Sequence, residues 1–267
     1  MSFLEIENRN FLVMGVANRK SVAYHIATSL EAQGANVILS VRDSEHLAKC
    51  EKLFPGRAMV ICNVEDCEQI AALPEKLALG KGELHGFVHS IAFADYSEGI
   101  KPFHETPRNA FLQAVQVSAF SLVEVSNALR DVFASDASVV TISISTTSMA
   151  AESYGFMAPA KAALDSAVVF LAKSFSKFSS VRFNSVKAGL LKTSSSAGIP
   201  GYIDYYIFAE AATLRKESLK TSEVADTALF LLSGKSSGIN AQGIVIDAGM
   251  AVNYYDRDII SKVAREV

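Results

Sequence analysis

Strand-like and helix-like segments alternate along this chain from Asn10 to about Asp247, and that alternation is the feature that most limits the folds open to it. A short apolar run from Phe11 ends in Gly15, and Ser21 to Gln33 then carries apolar residues at helical spacing before stopping at Gly34. Asn36–Val41, Ala58–Cys62 and Gly86–Ser90 read as the second, third and fourth strands, with helical stretches at Ser44–Phe54 and Asp66–Leu79 between them. After a loop from Ile91 to about Pro107, the spacing predicts a long helix to Phe133 and a fifth strand at Ser138–Ser143. Tyr154–Phe178 reads as a helix and Arg182–Val186 as a sixth strand, followed by a loop with short helices from Ala188 to about Lys220. Ser222–Leu232 is a last helix and Gly243–Asp247 a seventh strand.

Such a series builds a parallel sheet covered by helices on both faces, so the expected class is α/β, a Rossmann-type doubly wound sheet of about seven strands. With 267 residues, 50% of them hydrophobic, and no Pro/Ser/Gly-rich linker, one domain over 1–267 is expected. A net charge of −3 argues against a nucleic-acid partner. No apolar run reaches the roughly 18 residues of a membrane span, and the N-terminus does not read as a secretory signal. Cys50, Cys62 and Cys67 are odd in number and lack paired ligand spacing, so no disulfide framework or zinc site is expected and a reducing cytoplasm fits.

A doubly wound sheet binds its ligand at the carboxyl ends of its strands, near the point where strand order reverses. Gly15, Asn63, Ser90, Ser143 and Ala188 all fall at or just past predicted strand ends. Gly15 allows a sharp turn, and the helix starting near Ser21 offers unpaired N–H groups and a positive dipole end to a diphosphate. The Ser21 hydroxyl can bond that phosphate or cap its own helix. The G-x-G-x-x-G fingerprint is absent. Tyr154 and Lys161 stand seven residues apart, which on a continuous helix puts phenol and ammonium within about 20° of one face. With the glycine turn, this pair suggests a nicotinamide-dependent reduction. Arg42 after the second strand can meet a ribose 2′-phosphate, whereas its neighbour Asp43 favours a free hydroxyl, and an exposed ion pair between the two is the plain alternative. The histidines form no metal or triad pattern, and His85 and His89 read as structural.

These residues resemble the enoyl-acyl-carrier-protein reductases of bacterial type II fatty acid synthesis, a divergent branch of the short-chain dehydrogenases. The resemblance runs from NFLVMGVANRKSVA through FVHSIAFA and YGFMAPAKAALDS to SSGINAQGIVIDAG. The commoner short-chain dehydrogenases place a tyrosine four before the lysine, where this chain has Met157. The resemblance implies NADH or NADPH as cofactor, an enoyl thioester on acyl carrier protein as substrate, and a homotetramer. It implies Tyr154 as hydrogen-bond donor to the enolate oxygen and Lys161 on the nicotinamide ribose. Gly15, Ser21 and Val22 would line the diphosphate, Arg42 the adenosine ribose, and Asn63 and Val64 the adenine. Ile91 would lie near the cofactor and Ala94 near the substrate. Leu191, Lys192, Thr193, Ser194 and Ser195 would close over the nicotinamide and phosphates, at the start of a substrate-binding segment near 189–220.

The chain departs from the family pattern in several places. A second tyrosine lining the substrate pocket is replaced by Ile144, with Ser143 or Ser145 as possible hydroxyl substitutes. Asn63 replaces an aspartate, and Ala188-Gly-Leu-Leu-Lys-Thr193 lacks the usual proline. Pro200–Glu210, PGYIDYYIFAE, carries no lysine or arginine for an acidic carrier protein and reads as an apolar lid or a subunit contact, leaving Arg215, Lys216 and Lys220 nearby. Ile144 and this segment also fit a paralogue reducing another unsaturated or carbonyl substrate. A weakly catalytic, cofactor-binding regulatory protein is opposed by retention of both Tyr154 and Lys161.

Overall fold

The computed structural model describes residues 3–99, 101–145, 147–150, 154–193 and 202–264. Seven parallel strands form one sheet: β1 (Asn10–Met14), β2 (Asn36–Val41), β3 (Ala58–Ile61), β4 (Leu84–His89), β5 (Phe133–Ile144), β6 (Arg182–Ala188) and β7 (Gly243–Ile246). Their order is β3-β2-β1-β4-β5-β6-β7, so the winding direction reverses between β1 and β4. The central strands are apolar and buried on both faces, as a sheet covered on two sides requires; in β1 Phe11, Leu12 and Val13 are all inaccessible. One face is covered by α1 (Val22–Ala32) and α9 (Thr221–Leu232), with α2 (Ser44–Leu53) at the side. The other is covered by α6 (Ser121–Ala128) and α7 (Met157–Phe175) with the short α3 (Cys67–Ala71) and α4 (Leu73–Leu77). The Rossmann-type class and the seven strands agree with the expectation.

Four segments differ from it. Asp66–Leu79 is two short helices, because Pro74 has no N–H with which to continue a ladder and instead sits in the first turn of α4. The helix expected to reach Phe133 is α5 (Arg108–Val115), a π-helical turn at Gln116–Phe120, and α6, which ends at Ala128. Leu129, Val132 and Phe133 stay buried beyond that end, so the apolar pattern persisted while the backbone turned into β5. The 189–220 region contains α8 (Tyr202–Ala212), in keeping with the short helices expected there, but a further amphipathic helix that was not expected, α10 (Arg257–Ala264), follows the last strand. Tyr154, expected on a helix, lies before α7, which begins at Met157.

Pro159 accounts for that start. It occupies the first turn of α7, where its missing N–H costs nothing, but a longer helix would need that N–H to bond the Gly155 carbonyl and would drive the ring against it. Gly155 itself is left-handed, at φ +58°. Tyr154 is therefore presented by a turn while Lys161 is carried on the buried stripe of α7.

On the far side of the sheet, Arg182 at the start of β6 is buried and ties down the end of α9. Its Nη1 donates to the carbonyl oxygens of Leu231 (3.2 Å) and Ser236 (2.9 Å) and to Ser236 Oγ (2.8 Å), and its Nη2 to Ser233 O (3.0 Å). Burial lowers its pKa, but the fan of acceptors keeps the guanidinium bonded. Arg182→Leu would remove these charge-assisted bonds from buried carbonyls that keep only other, neutral donors, and we expect a loss of roughly 1.5–3 kcal/mol, read as a lower urea midpoint at unchanged m-value. An unaltered midpoint would show that Arg182 does not anchor this end.

Candidate active site

All strands point the same way, so their carboxyl ends share one edge, and there a cleft of about 550 Å³ opens, within the range of ligand pockets. Gly15, Asn63, Ser90, Ser143 and Ala188, the residues expected at strand ends, all line it. At the switch point the turns after β1 and β4 nearly touch. Gly15 has φ +98°, and a Cβ there would sit 2.1 Å from the Ser90 carbonyl oxygen. Only glycine admits that approach. It leaves the backbone open toward the N-terminus of α1, whose Ser21 and Val22 also line the cleft. Ser21 is the N-cap: its Oγ accepts from Tyr24 N (3.3 Å) and donates to Asn18 O (2.7 Å). Capping is the role seen, and its hydroxyl proton is already engaged.

At one end of the cleft stand Arg42, Asn63 and Val64, with Ser40 and His46, which sequence reasoning did not single out. Asp43 is not part of this wall. Its carboxylate caps α2, accepting from His46 N (2.9 Å), pairs with His46 Nδ1 (2.7 Å) and accepts from Arg42 Nε (3.0 Å). These contacts, the His46 backbone foremost, hold its pKa far below the usual carboxylate range. The Arg42–Asp43 ion pair exists, but only the arginine faces the cleft.

At the other end stand Ile91, Ala94, Ile144, Tyr154 and Lys161. Lys161 is 4% exposed and donates from Nζ to Ile142 O (2.7 Å) and Ile91 O (3.2 Å), tying the carboxyl ends of β4 and β5 together. Burial lowers its pKa to about 8, against a smaller opposing pull from Asp165. The same burial pushes the Tyr154 phenol well above its ordinary value, with Tyr202 and Tyr96 adding to the rise. Beneath them His89 is fully buried between Thr141 Oγ1 (3.0 Å) and Ser121 Oγ (2.8 Å), its pKa lowered to about 3 chiefly by burial. It is a neutral, structural histidine. Ser118 on the π-helical turn accepts from Phe93 N (3.0 Å) and donates to Phe93 O (3.1 Å), fixing the loop after β4 that borders the cleft.

Leu191 and Thr193 line the cleft, as does Tyr202, whose hydroxyl donates to Leu191 O at 2.8 Å. Lys192 does not; it is exposed, with its ammonium 5.9 Å from the Tyr206 ring on α8. Ser194 and Ser195 lie outside the described residues. Of the cations expected near the substrate segment, Arg215 forms a bidentate pair with Glu223 (2.6 and 2.7 Å) and Lys216 bonds Asp256.

The cleft fits a reduced dinucleotide. It has a glycine turn that a Cβ would block and a helix N-terminus at its middle. In its walls the buried Ser40 and Ser143 hydroxyls have no protein partner. Among the described residues no group of His, Cys, Asp or Glu could hold a metal, and no helix is long and apolar enough to cross a membrane.

Residues 15–251 match the model of a family described as Enoyl-(Acyl carrier protein) reductase. The chain is 32% identical over 253 residues to the NADH-dependent enoyl-[acyl-carrier-protein] reductase FabI of Bacillus subtilis, covering 92% of this chain and 97% of that one. It is 30% identical over 251 residues to the NADPH-dependent FabI of Staphylococcus aureus, covering 92% and 98%. The crystal structure of FabI from Candidatus Liberibacter asiaticus superposes with a TM-score of 0.88 at 28% identity, covering 94% of this chain and 98% of that chain.

A pH dependence follows from Lys161. As an ammonium it has three N–H groups, two of them on the carbonyls of Ile91 and Ile142 and one left to donate to a ligand in the cleft. As an amine it has only two, both engaged. Affinity for the reduced dinucleotide should therefore fall as pH rises through about 8, followed by nicotinamide fluorescence, and this break should vanish in Lys161→Met. Folding stability moves the other way. Because the unfolded chain keeps the proton up to about 10.5, this lysine's contribution to stability rises between the two values. Affinity that stays flat from pH 7 to pH 9 would contradict the assignment.

Proposed function

Because the chain belongs to the enoyl-(acyl carrier protein) reductase family, we propose that it reduces the 2,3 double bond of trans-2-enoyl thioesters on acyl carrier protein, with NADH or NADPH, in fatty acid elongation. The observation that carries this reading is that Tyr154 and Lys161 line one end of a cleft whose middle is a glycine turn and a helix N-terminus. When bound, the reduced nicotinamide supplies a hydride to the β-carbon of the substrate, and the π pair of the double bond shifts to leave an enolate. Tyr154 then donates a hydrogen bond to the enolate oxygen. Its raised pKa keeps it a neutral donor, never a phenolate, across the working range. A proton taken up at the α-carbon, replenished from solvent, completes the saturated thioester. Lys161 holds the ribose with its third N–H, Gly15 and the N-terminus of α1 take the diphosphate, and Asn63 and Val64 flank the adenine. Arg42, facing the cleft without Asp43, takes the adenosine ribose.

Within this reading, residues 1–267 act as one cofactor-binding domain whose 189–220 segment covers the substrate, Tyr202 reaching into the cleft from α8. Where the family's second tyrosine would stand, Ile144 offers no hydroxyl, and the buried, unpartnered Ser143 Oγ on the same wall serves the thioester instead. The proposal includes a cytoplasmic homotetramer. Two separate apolar faces support it, Val169 and Phe170 on α7 and Val245, Val252, Tyr254 and Tyr255 around β7, because a tetramer of two-fold symmetry needs more than one interface.

Mixing the protein with NADH or NADPH and enoyl thioesters should consume the reduced nicotinamide, and Tyr154→Phe should lower kcat on the order of 100-fold with little change in cofactor KM. Cofactor binding without turnover of any enoyl chain length would defeat the proposal, and turnover of a different unsaturated or carbonyl substrate would point to a diverged paralogue. Phe170→Glu, measured by light scattering, should reduce the assembly below a tetramer; an unchanged mass would remove α7 from the interface.

A further inference from the structure

Tyr96 follows the fourth strand by only a few residues and was not among the expected site residues, yet two cavities meet at it. The cleft reaches Tyr96 beside Tyr154 and Met157. On its other side lies a second, more polar cavity of about 240 Å³, bordered by Asp95, Glu98, Lys101, Arg108 and Phe156. Among the described residues, Tyr96 is the one that lines both.

Its side-chain contacts centre on the turn that presents Tyr154 and extend to the backbone of Met157 at the start of α7. The Tyr96 hydroxyl donates to the backbone carbonyl of Tyr154 at 3.1 Å. Its ring lies over Gly155, where a Cβ would come within 2.7 Å of Cε1, and packs tilted against Phe156 with centroids 5.2 Å apart. Phe156 is held in turn by Phe111 of α5, at 6.1 Å. This support matters because Tyr154 is not on α7. A helix would fix the phenol through its own ladder, whereas a turn through a left-handed glycine needs an outside contact to hold it.

We propose that Tyr96 is the positioning residue of Tyr154: its hydroxyl and ring clamp the Tyr154–Phe156 turn, and the ring walls the catalytic end of the cleft off from the polar cavity behind it. It does not touch the reacting atoms; it acts through Tyr154. The proposal rests on the assignment of Tyr154 as hydrogen-bond donor to the enolate oxygen. The polar side chains and water of the second cavity stay out of the site, which agrees with the burial that raises the Tyr154 phenol.

The test compares Tyr96→Phe and Tyr96→Ala with the unmodified protein, using enoyl-CoA substrates and NADH or NADPH. Tyr96→Phe keeps the ring and loses the hydrogen bond, so kcat should fall roughly tenfold while the cofactor KM stays fixed. Tyr96→Ala should lower kcat further and open the phenol to water. Its ionisation, read as tyrosinate absorbance against the matching Tyr154→Phe protein, should then move down toward the ordinary tyrosine value. If Tyr96→Ala fails to fold, Tyr96→Phe decides. Turnover within about twofold of the unmodified protein for the folded variants, or an equal loss in kcat and cofactor affinity, overturns the proposal. If the unmodified protein binds cofactor but reduces no enoyl thioester, the enzymatic reading fails instead. The ionisation measurement, which needs no turnover, then supports the clamp if it shifts in Tyr96→Ala and overturns it if it does not.

Discussion

A sheet in which every strand is parallel gathers all its carboxyl ends on one edge, and the reversal of winding between β1 and β4 opens a crevice there. In this protein the crevice depends on the near contact of two turns. Gly15 sits so close to the Ser90 carbonyl that any side chain would force β1 and β4 apart at their ends. From that contact the rest of the site is laid out: α1 starts beneath the middle of the cleft, the β4 loop runs along its far side, and Lys161 reaches the carbonyls at the ends of β4 and β5.

Burial then sets the chemistry, and it acts on two groups in opposite directions for one reason. Removal from water penalises the charged form of any side chain, so the Lys161 ammonium is weakened and the Tyr154 phenolate is suppressed. The lysine remains a usable cation near neutral pH because two backbone carbonyls solvate it in place of water. The tyrosine is kept a donor. His89 shows the same force without function, neutral between two hydroxyls under the site.

Apart from Asn63, the departures from the family pattern gather at the substrate side. Ile144 replaces a phenol, the buried hydroxyls of its neighbours Ser143 and Ser145 lack protein partners, and α8 exposes Ile203, Ile207 and Phe208. Two of the cations that follow α8, Arg215 and Lys216, are paired with Glu223 and Asp256. At the adenosine end relatives named for NADH and for NADPH both match the chain, and here Arg42 lines the wall while Asp43 is spent as a helix cap.

The alternation of apolar runs and amphipathic stretches was enough to read the class, the strand count and the strand ends, because a strand buried on both faces leaves a continuous apolar run and a helix leaves a stripe. Gly15, the α1 start, Arg42, Asn63 and Lys161 were legible as positions on the cleft for the same reason, each sitting at a strand end or on a periodic helix face, whereas Val64 and Ile91 were named from the family resemblance. Less legible was what happens where local signals compete. Pro74 and Pro159 stood in the sequence, and the period around them still read as unbroken helix. Tyr154 and Lys161 were expected to meet through one helix, yet they line one cleft from a turn and a helix. By itself the sequence determined which residues could do chemistry and which sheet would carry them. The tertiary structure alone decided what holds Tyr154, because its supporting side chain, Tyr96, is 58 residues away along the chain and no local spacing links the two.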